Sequence, residues 1–268
     1  ERSRIGEERF RREHECEFLI FDETLISSIV LADMEGVAPV ETTGQVRWFK
    51  RPTPGHTYMV SLDPSMGTGG DYAAIQVFEL PTFEQVGEWH HNQTPMNQQV
   101  RILQGINKHI YDTIMEQDST ASPQIFYSME NNTIGEAALM RVMDIGEENI
   151  QGMFLSEPIR KGHRRKFRRG FNTTAKHKID ACTKFKELVE NDKMKINSQL
   201  LVSELKDFVA TGLSYKAKPG QHDDLVSACL LMTRMMKVLA DFDPKIFEKW
   251  TDRTSEITPM PIFGSFTG

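Results

Sequence analysis

Several functional classes are excluded by what this sequence lacks. No apolar run approaches the roughly 20 residues that cross a bilayer, and nothing resembles a secretory signal peptide. Cysteine is scarce: Cys16, Cys182 and Cys229 are odd in number, far apart and unlike any zinc-ligand spacing. This argues against a disulfide framework or a structural zinc site, and for buried free thiols in a reducing compartment. The one glycine-rich segment, Gly67-Thr68-Gly69-Gly70-Asp71, lacks the Lys-Ser/Thr of a phosphate-binding loop and precedes a strand rather than a helix, so no ATP hydrolysis is expected here. No Ser-His-Asp or Cys-His constellation offers a side-chain nucleophile, and no internal repeat is visible.

What is present suits a globular chain of 268 residues, 39% hydrophobic, with a mean hydropathy of -0.44. That length allows one large domain with appendages. Residues 58–62 read as a buried strand stopped by Asp63-Pro64. Residues 72–80 and 85–90 predict two more strands, which fold back as antiparallel hairpins. A helical period over 97–115 precedes a fourth strand at 125–129; a helix at 134–143 precedes a fifth at 150–155. Helices are predicted over 173–191 (Ile179, Cys182, Phe185, Leu188 and Val189 on one face), 200–209 and 225–239, with a small strand at 194–196 and a loop or hairpin at 212–220. A short helix is expected near residues 25–31. The order predicts an α/β fold: a mixed central sheet, three antiparallel strands and then parallel ones, with helices on its faces.

Three acidic islands stand out in this pattern. Asp63 ends one strand, Glu130 ends another, and Asp223-Asp224 opens the apolar helix from Leu225. Each has an ordinary reading: Asp before Pro forms turns, Glu130 can cap or pair, and Asp is favoured at helix starts. The last reading accounts for one aspartate better than for two beside His222. Elements sharing a core can bring such carboxylates together, where they repel unless a cation lies between them. Pro64 holds Asp63 extended. The glycine-rich segment reads as a flexible hairpin, in which Asp71 is a structural residue first and an auxiliary acid second; His222 is a proton relay, a phosphate contact or a structural histidine. Asn131, Asn132 and Thr133 can cap the helix that follows Glu130.

The formal net charge of -6 argues against a constitutive nucleic-acid coat, yet the charge is uneven. Arg160, Lys161, Arg164, Arg165, Lys166, Arg168 and Arg169 cluster around His163 and Phe167, followed by Phe171, Lys176 and Lys178. A cationic, aromatic stretch in an acidic chain favours a polyanion partner bound through phosphates, although it also reads as a solvated loop. Hard cations on carboxylates beside such a stretch suit phosphodiester hydrolysis.

The motifs Ser61-Leu62-Asp63-Pro64-Ser65 with Gly69-Gly70-Asp71-Tyr72, then Met129-Glu130-Asn131-Asn132-Thr133-Ile134-Gly135, and Gln221-His222-Asp223-Asp224-Leu225-Val226 resemble the RNase H-like superfamily. More specifically, residues 46–240 look like the C-terminal nuclease domain of the large terminase subunit of tailed bacteriophages. Residues 7–20 are similar to the end of the ATPase domain that precedes it. The resemblance implies an N-terminal extension over 1–45, a nuclease domain over 46–240 and a tail over 241–268. It implies catalysis by Asp63, Glu130 and Asp224, with Asp223 adjoining as a further metal ligand, and Mg²⁺ as cofactor with Mn²⁺ able to substitute. The implied activity is cutting of concatemeric double-stranded DNA at the start and end of genome packaging, in the cytoplasm of an infected host. The implied partners are DNA, a portal protein, a small terminase subunit and the ATPase domain of the same chain. A Holliday-junction resolvase or integrase-like enzyme of the same superfamily is one alternative. A DNA-gripping module whose carboxylates are structural is another.

Overall fold

The strand predicted at 58–62 is buried throughout because helices cover both of its faces. In the computed structural model, which describes residues 24–158 and 169–242, it is an interior strand of a seven-stranded sheet, flanked on both edges. Helix α1 (Ser28–Asp33) is followed by β1 (Glu41–Thr43), β2 (Val46–Trp48), β3 (Thr57–Asp63), β4 (Ala73–Leu80) and β5 (Glu84–His91). Then come α2 (Met96–Gln117), β6 (Gln124–Met129), α3 (Thr133–Ile145), a 3-10 turn (Glu147–Asn149) and β7 (Met153–Phe154). The chain continues through α4 (Ala175–Glu190), α5 (Gln199–Asp207), the hairpin β8 (Phe208–Thr211) and β9 (Ser214–Ala217), and α6 (Asp224–Phe242).

The sheet order is β1-β2-β5-β4-β3-β6-β7. Strands β3, β4 and β5 are antiparallel neighbours, while β6 lies parallel to β3 and β7 parallel to β6. This is the predicted mixed sheet. Alternation along β3 divides the core. Tyr58, Val60 and Leu62 pack with Val100, Leu103, Ile106 and Ile110 of α2 and with Ala138, Leu139 and Val142 of α3. Met59 joins Ala74 and Phe78 against α4, α5 and α6. Odd-numbered β3 residues therefore face α6, and that parity decides where Asp63 points.

Several details depart from the sequence reading. Strands β1 and β2 were not foreseen; they extend the sheet beyond β5. Leu25, Ile26 and Leu31 pack into the α6-side core. The strand predicted at 194–196 is a single bridge between Lys195 and Glu84. The helix predicted over 200–209 stops at Asp207, because buried Phe208 turns into the hairpin. Ile179, expected on the buried face of α4, is 38% exposed.

The glycine-rich loop is pinned rather than a free hairpin. The buried Gln99 amide donates to Ser65 O (2.9 Å) and Thr94 O (2.7 Å). A Cβ on Gly67, where φ is +69°, would stand 2.1 Å from Thr94 O. Cys182 and Cys229 are buried free thiols, as expected. The ATPase-like residues 7–20, most of the tail, and Arg160, Lys161, Arg164, Arg165, Lys166 and Arg168 lie outside the described residues.

Candidate metal centre

Backbone pairing places the first two acids. Register aligns Leu62 with Met129 across the parallel β3–β6 pair, and the Glu130 amide continues it by donating to Leu62 O at 3.0 Å. The next residues along the two strands are Asp63 and Glu130, which leave the sheet side by side. Asn132 sharpens the position of Glu130. Its side-chain carbonyl caps α3 by accepting from the Ile134 and Gly135 amides, while its amide donates to Glu130 Oε2 at 3.0 Å.

Helix α6 brings the third island. Buried Ser61 donates its hydroxyl to the Ala228 carbonyl at 2.8 Å, and the small Ala228 side chain lets helix and strand approach. Asp63 is two residues beyond Ser61 on the same strand face. Asp224 is about one turn before Ala228 on the helix. One contact therefore sets the distance between two functional ends.

The electrostatics record the convergence. Burial raises the Asp63 carboxyl well above its ordinary range, followed by the charge of Glu130, a hydrogen bond with Glu130 and the charges of Asp224 and Asp223. Like charges brought this close repel unless a cation lies between them. Burial, then the Asp223 charge, pushes Asp224 up to about 6 against the His222 imidazole and the Tyr72 amide, with Asp71 adding to the rise. Asp224 Oδ2 is buried without a hydrogen-bond partner among the described residues; His222 Nδ1 stands 3.6 Å away. His222 is half-exposed and Asp71 lies at the exposed mouth.

These donors fit a hard divalent cation in kind: all are carboxylates, one buried oxygen is orphaned, and their charges raise one another. Among the described residues no three acidic, histidine or cysteine side chains are yet gathered as a ready ligand cage. Ligation would therefore involve side-chain adjustment at Asp63, Glu130, Asp223 and Asp224.

Three nearby groups escaped the sequence reading. Glu204 of α5 accepts from the Val226 amide at 3.1 Å. Burial, then the charges of Asp224 and Asp223, push it up to about 9 against that amide. His90 occupies the same cross-strand row as Asp63 and Ala74. Burial first, then the Arg47, His222 and His91 charges, lower it to about 4, so its 3.7 Å approach to Glu204 is a neutral polar contact rather than an ion pair. Lys178, noted only as a basic neighbour, holds Nζ 3.7 Å from Asp223 Oδ2 and lines a cleft with Glu130, Thr173, Ser227 and Arg234.

The basic stretch is anchored beside the acids. Phe171 bridges Glu130, with the Asn131 amide donating to Phe171 O at 2.7 Å and the Phe171 amide to Met129 O at 3.1 Å. On the other flank the Glu157 amide donates to Gly170 O at 3.2 Å. Arg234 ties Glu157 to Asn172 O and Thr173. Arg169, the one described member of the stretch, pairs with Glu147.

The profile of the terminase RNase H-like domain family matches residues 60–235, a range that includes Asp63, Glu130, Asp223 and Asp224. The chain belongs to this family. The large terminase nuclease of thermophilic phage G20c is similar in structure: TM-score 0.57, 18% identity, covering 78% of this chain and 96% of that one. That nuclease is also known with bound magnesium. The large terminase nuclease domain of Thermus phage P74-26 matches with TM-score 0.53 and 18% identity, over 75% and 92% of the two chains. The human cytomegalovirus terminase nuclease domain, soaked with manganese and bound to an inhibitor, matches with TM-score 0.50 and 14% identity over 79% and 94%. These likenesses establish a terminase RNase H-like fold.

Proposed function

We propose that this terminase domain cuts double-stranded DNA by metal-assisted phosphodiester hydrolysis, with Asp63, Glu130 and Asp224 as catalytic ligands and Asp223 adjoining them. The observation that carries this reading is the convergence of carboxylates from β3, β6 and α6, with one buried oxygen, Asp224 Oδ2, left without a partner among the described residues. A bound Mg²⁺ pair, or Mn²⁺ in its place, would supply an activated water and stabilise the leaving oxygen. The protein's own residues orient the reaction. Asp63 and Glu130 fix the strand-end side of the site, and Asp223 and Asp224 approach from α6. Asp71 adds negative charge at the mouth, and His222 sits where it can hold a proton beside Asp224. Lys178 faces the cleft with an ammonium that can take a phosphate oxygen.

Arg160, Lys161, Arg164, Arg165, Lys166, Arg168 and Arg169 would grip the backbone of the DNA by charge, without reading its sequence. The anchoring of both flanks beside Glu130 supports this. In its biological setting we infer cutting of concatemeric viral DNA at the beginning and end of packaging, in the infected host cytoplasm. The portal, the small terminase subunit and an ATPase domain of the same chain are the inferred partners. Over the described residues no helix is long and apolar enough to cross a membrane. We infer a nuclease domain over 46–240, with an extension before it and a tail after it.

The test is nicking of supercoiled plasmid with Mg²⁺ or Mn²⁺. Wild type should cut and be silenced by a chelator, whereas Asp63→Ala should bind DNA and not cut. Cutting by Asp63→Ala at the wild-type rate would leave the carboxylates structural, as in a DNA-gripping module.

A further inference from the structure

Helix α6 opens with two aspartates, and the carboxylate that takes its Val226 amide comes from another helix. The usual cap is a side chain at the first flanking position accepting from an amide two or three residues on. Asp223 occupies that position, and its backbone carbonyl accepts from the Ser227 amide at 2.8 Å. The amide three residues on belongs to Val226, and Glu204 Oε2 takes it at 3.1 Å. The Leu225 amide reaches the same carboxylate. Asp223 instead turns its Oδ2 towards Lys178, 3.7 Å away, on the side of the acidic cluster.

Glu204 is well placed for this task. Its side chain is 10% exposed, and its second oxygen faces His90 Nε2, a buried nitrogen without a hydrogen-bond partner among the described residues. Tyr72 stacks on His90 with ring centroids 4.1 Å apart, and the Tyr72 amide reaches Asp224. The packing that holds Glu204 thus adjoins both aspartates without using their carboxylates as caps.

We propose that Glu204 is a positioning residue of the metal centre: by capping α6 from α5, it releases the Asp223 carboxylate from capping and leaves both aspartates facing the cation. The inference rests on Asp223 and Asp224 as metal ligands. Without Glu204, the acceptor placed by sequence to take the Val226 amide is Asp223 itself, which would then leave the cluster.

Calorimetric titration with Mn²⁺ alone, on the full chain without DNA, tests this. Glu204→Met keeps the bulk and removes the acceptor; it should weaken Mn²⁺ binding by roughly tenfold or more, the usual effect of losing a group that orients a ligand. Glu204→Gln keeps an oxygen for the Val226 amide and should bind as wild type does. In an Asp223→Asn background, Glu204→Met should cost no further affinity, because the ligand it would lose is already gone. Metal-free melting curves establish that each variant is folded, and Glu204→Gln against wild type remains decisive if Glu204→Met is not. Equal weakening by Gln and Met would overturn the capping role, since an oxygen acceptor in that place would then make no difference. Additive losses in the double variant, or unchanged binding by Glu204→Met, would also overturn it. Failure of wild type to bind Mn²⁺ would instead refute the metal reading itself.

Discussion

Replacing Asp224 by Asn should stabilise the metal-free protein while abolishing its cutting activity. The side chain is 15% exposed, so solvent screens it little. Burial first, then the Asp223 charge, raises its carboxyl from 3.8 to about 6 in the folded state. A carboxyl held up on folding binds its proton more tightly in the native protein. Its favourable contribution is therefore complete below about pH 4, is lost as pH rises towards 6, and stays lost above that. The gap of about 2 pH units, at about 1.4 kcal/mol each, makes ionised Asp224 destabilising by about 3 kcal/mol at pH 8. Asn has the same shape, can still accept from the Tyr72 amide and never ionises. At about 2–4 °C per kcal/mol for a chain of this size, the melting temperature in chelator at pH 8 should rise by about 6–12 °C. The gain should shrink towards zero as pH falls to about 4. Thermal melts at pH 8 and pH 4, with chelator and then with Mn²⁺, provide the assay. Added Mn²⁺ should raise the melting point of wild type far more than that of Asp224→Asn. A variant that melts at or below wild type at pH 8, or keeps its full advantage at pH 4, would refute the reasoning.

Lys178→Met should lower kcat for plasmid nicking by roughly a hundredfold, as expected for a donor to a charged phosphate oxygen, with a smaller change in KM. Comparable Mn²⁺ affinity in that variant would separate the effect from its 3.7 Å contact with Asp223; an unchanged kcat would remove Lys178 from the reaction. Gly135→Ala should displace Glu130, because the added Cβ would stand 1.9 Å from the Glu130 carbonyl oxygen. Overpacking of that kind costs about 1–3 kcal/mol, and both the melting temperature and nicking should fall.

The sheet was legible because its signals are local. Apolar runs ending at Asp63 and Glu130, together with turn residues, revealed the strands. Strand order then explains why the two acids meet, since parallel pairing of β3 and β6 aligns their C-terminal ends. Asn132 was legible as a cap for the same local reason. Glu204 was not: in Ser203-Glu204-Leu205-Lys206-Asp207 it looks like the polar face of any surface helix, and only the docking of α5 against α6 gives it an amide to hold. His90 looked like the end of a strand until register placed it in the row of Asp63. Strands β1 and β2 have three residues each, too short to carry a periodic signal.

The two halves of the site are held by different means. Asp63 and Glu130 sit on strand ends fixed by backbone ladder bonds, which substitutions of side chains leave largely in place. Asp223 and Asp224 ride on a helix whose position relative to β3 depends on side-chain contacts, notably Ser61 with Ala228 and Glu204 with Val226. Mutual repulsion among the carboxylates acts across this division, since the charges of Asp223 and Asp224 both raise Asp63. A cation would relieve that repulsion and draw the halves together, and on the proposed reading metal affinity should depend on how firmly α6 is held. Substitutions at the α6 contacts should therefore alter metal binding before they alter the sheet, and the strand-end acids alone should not suffice for the centre.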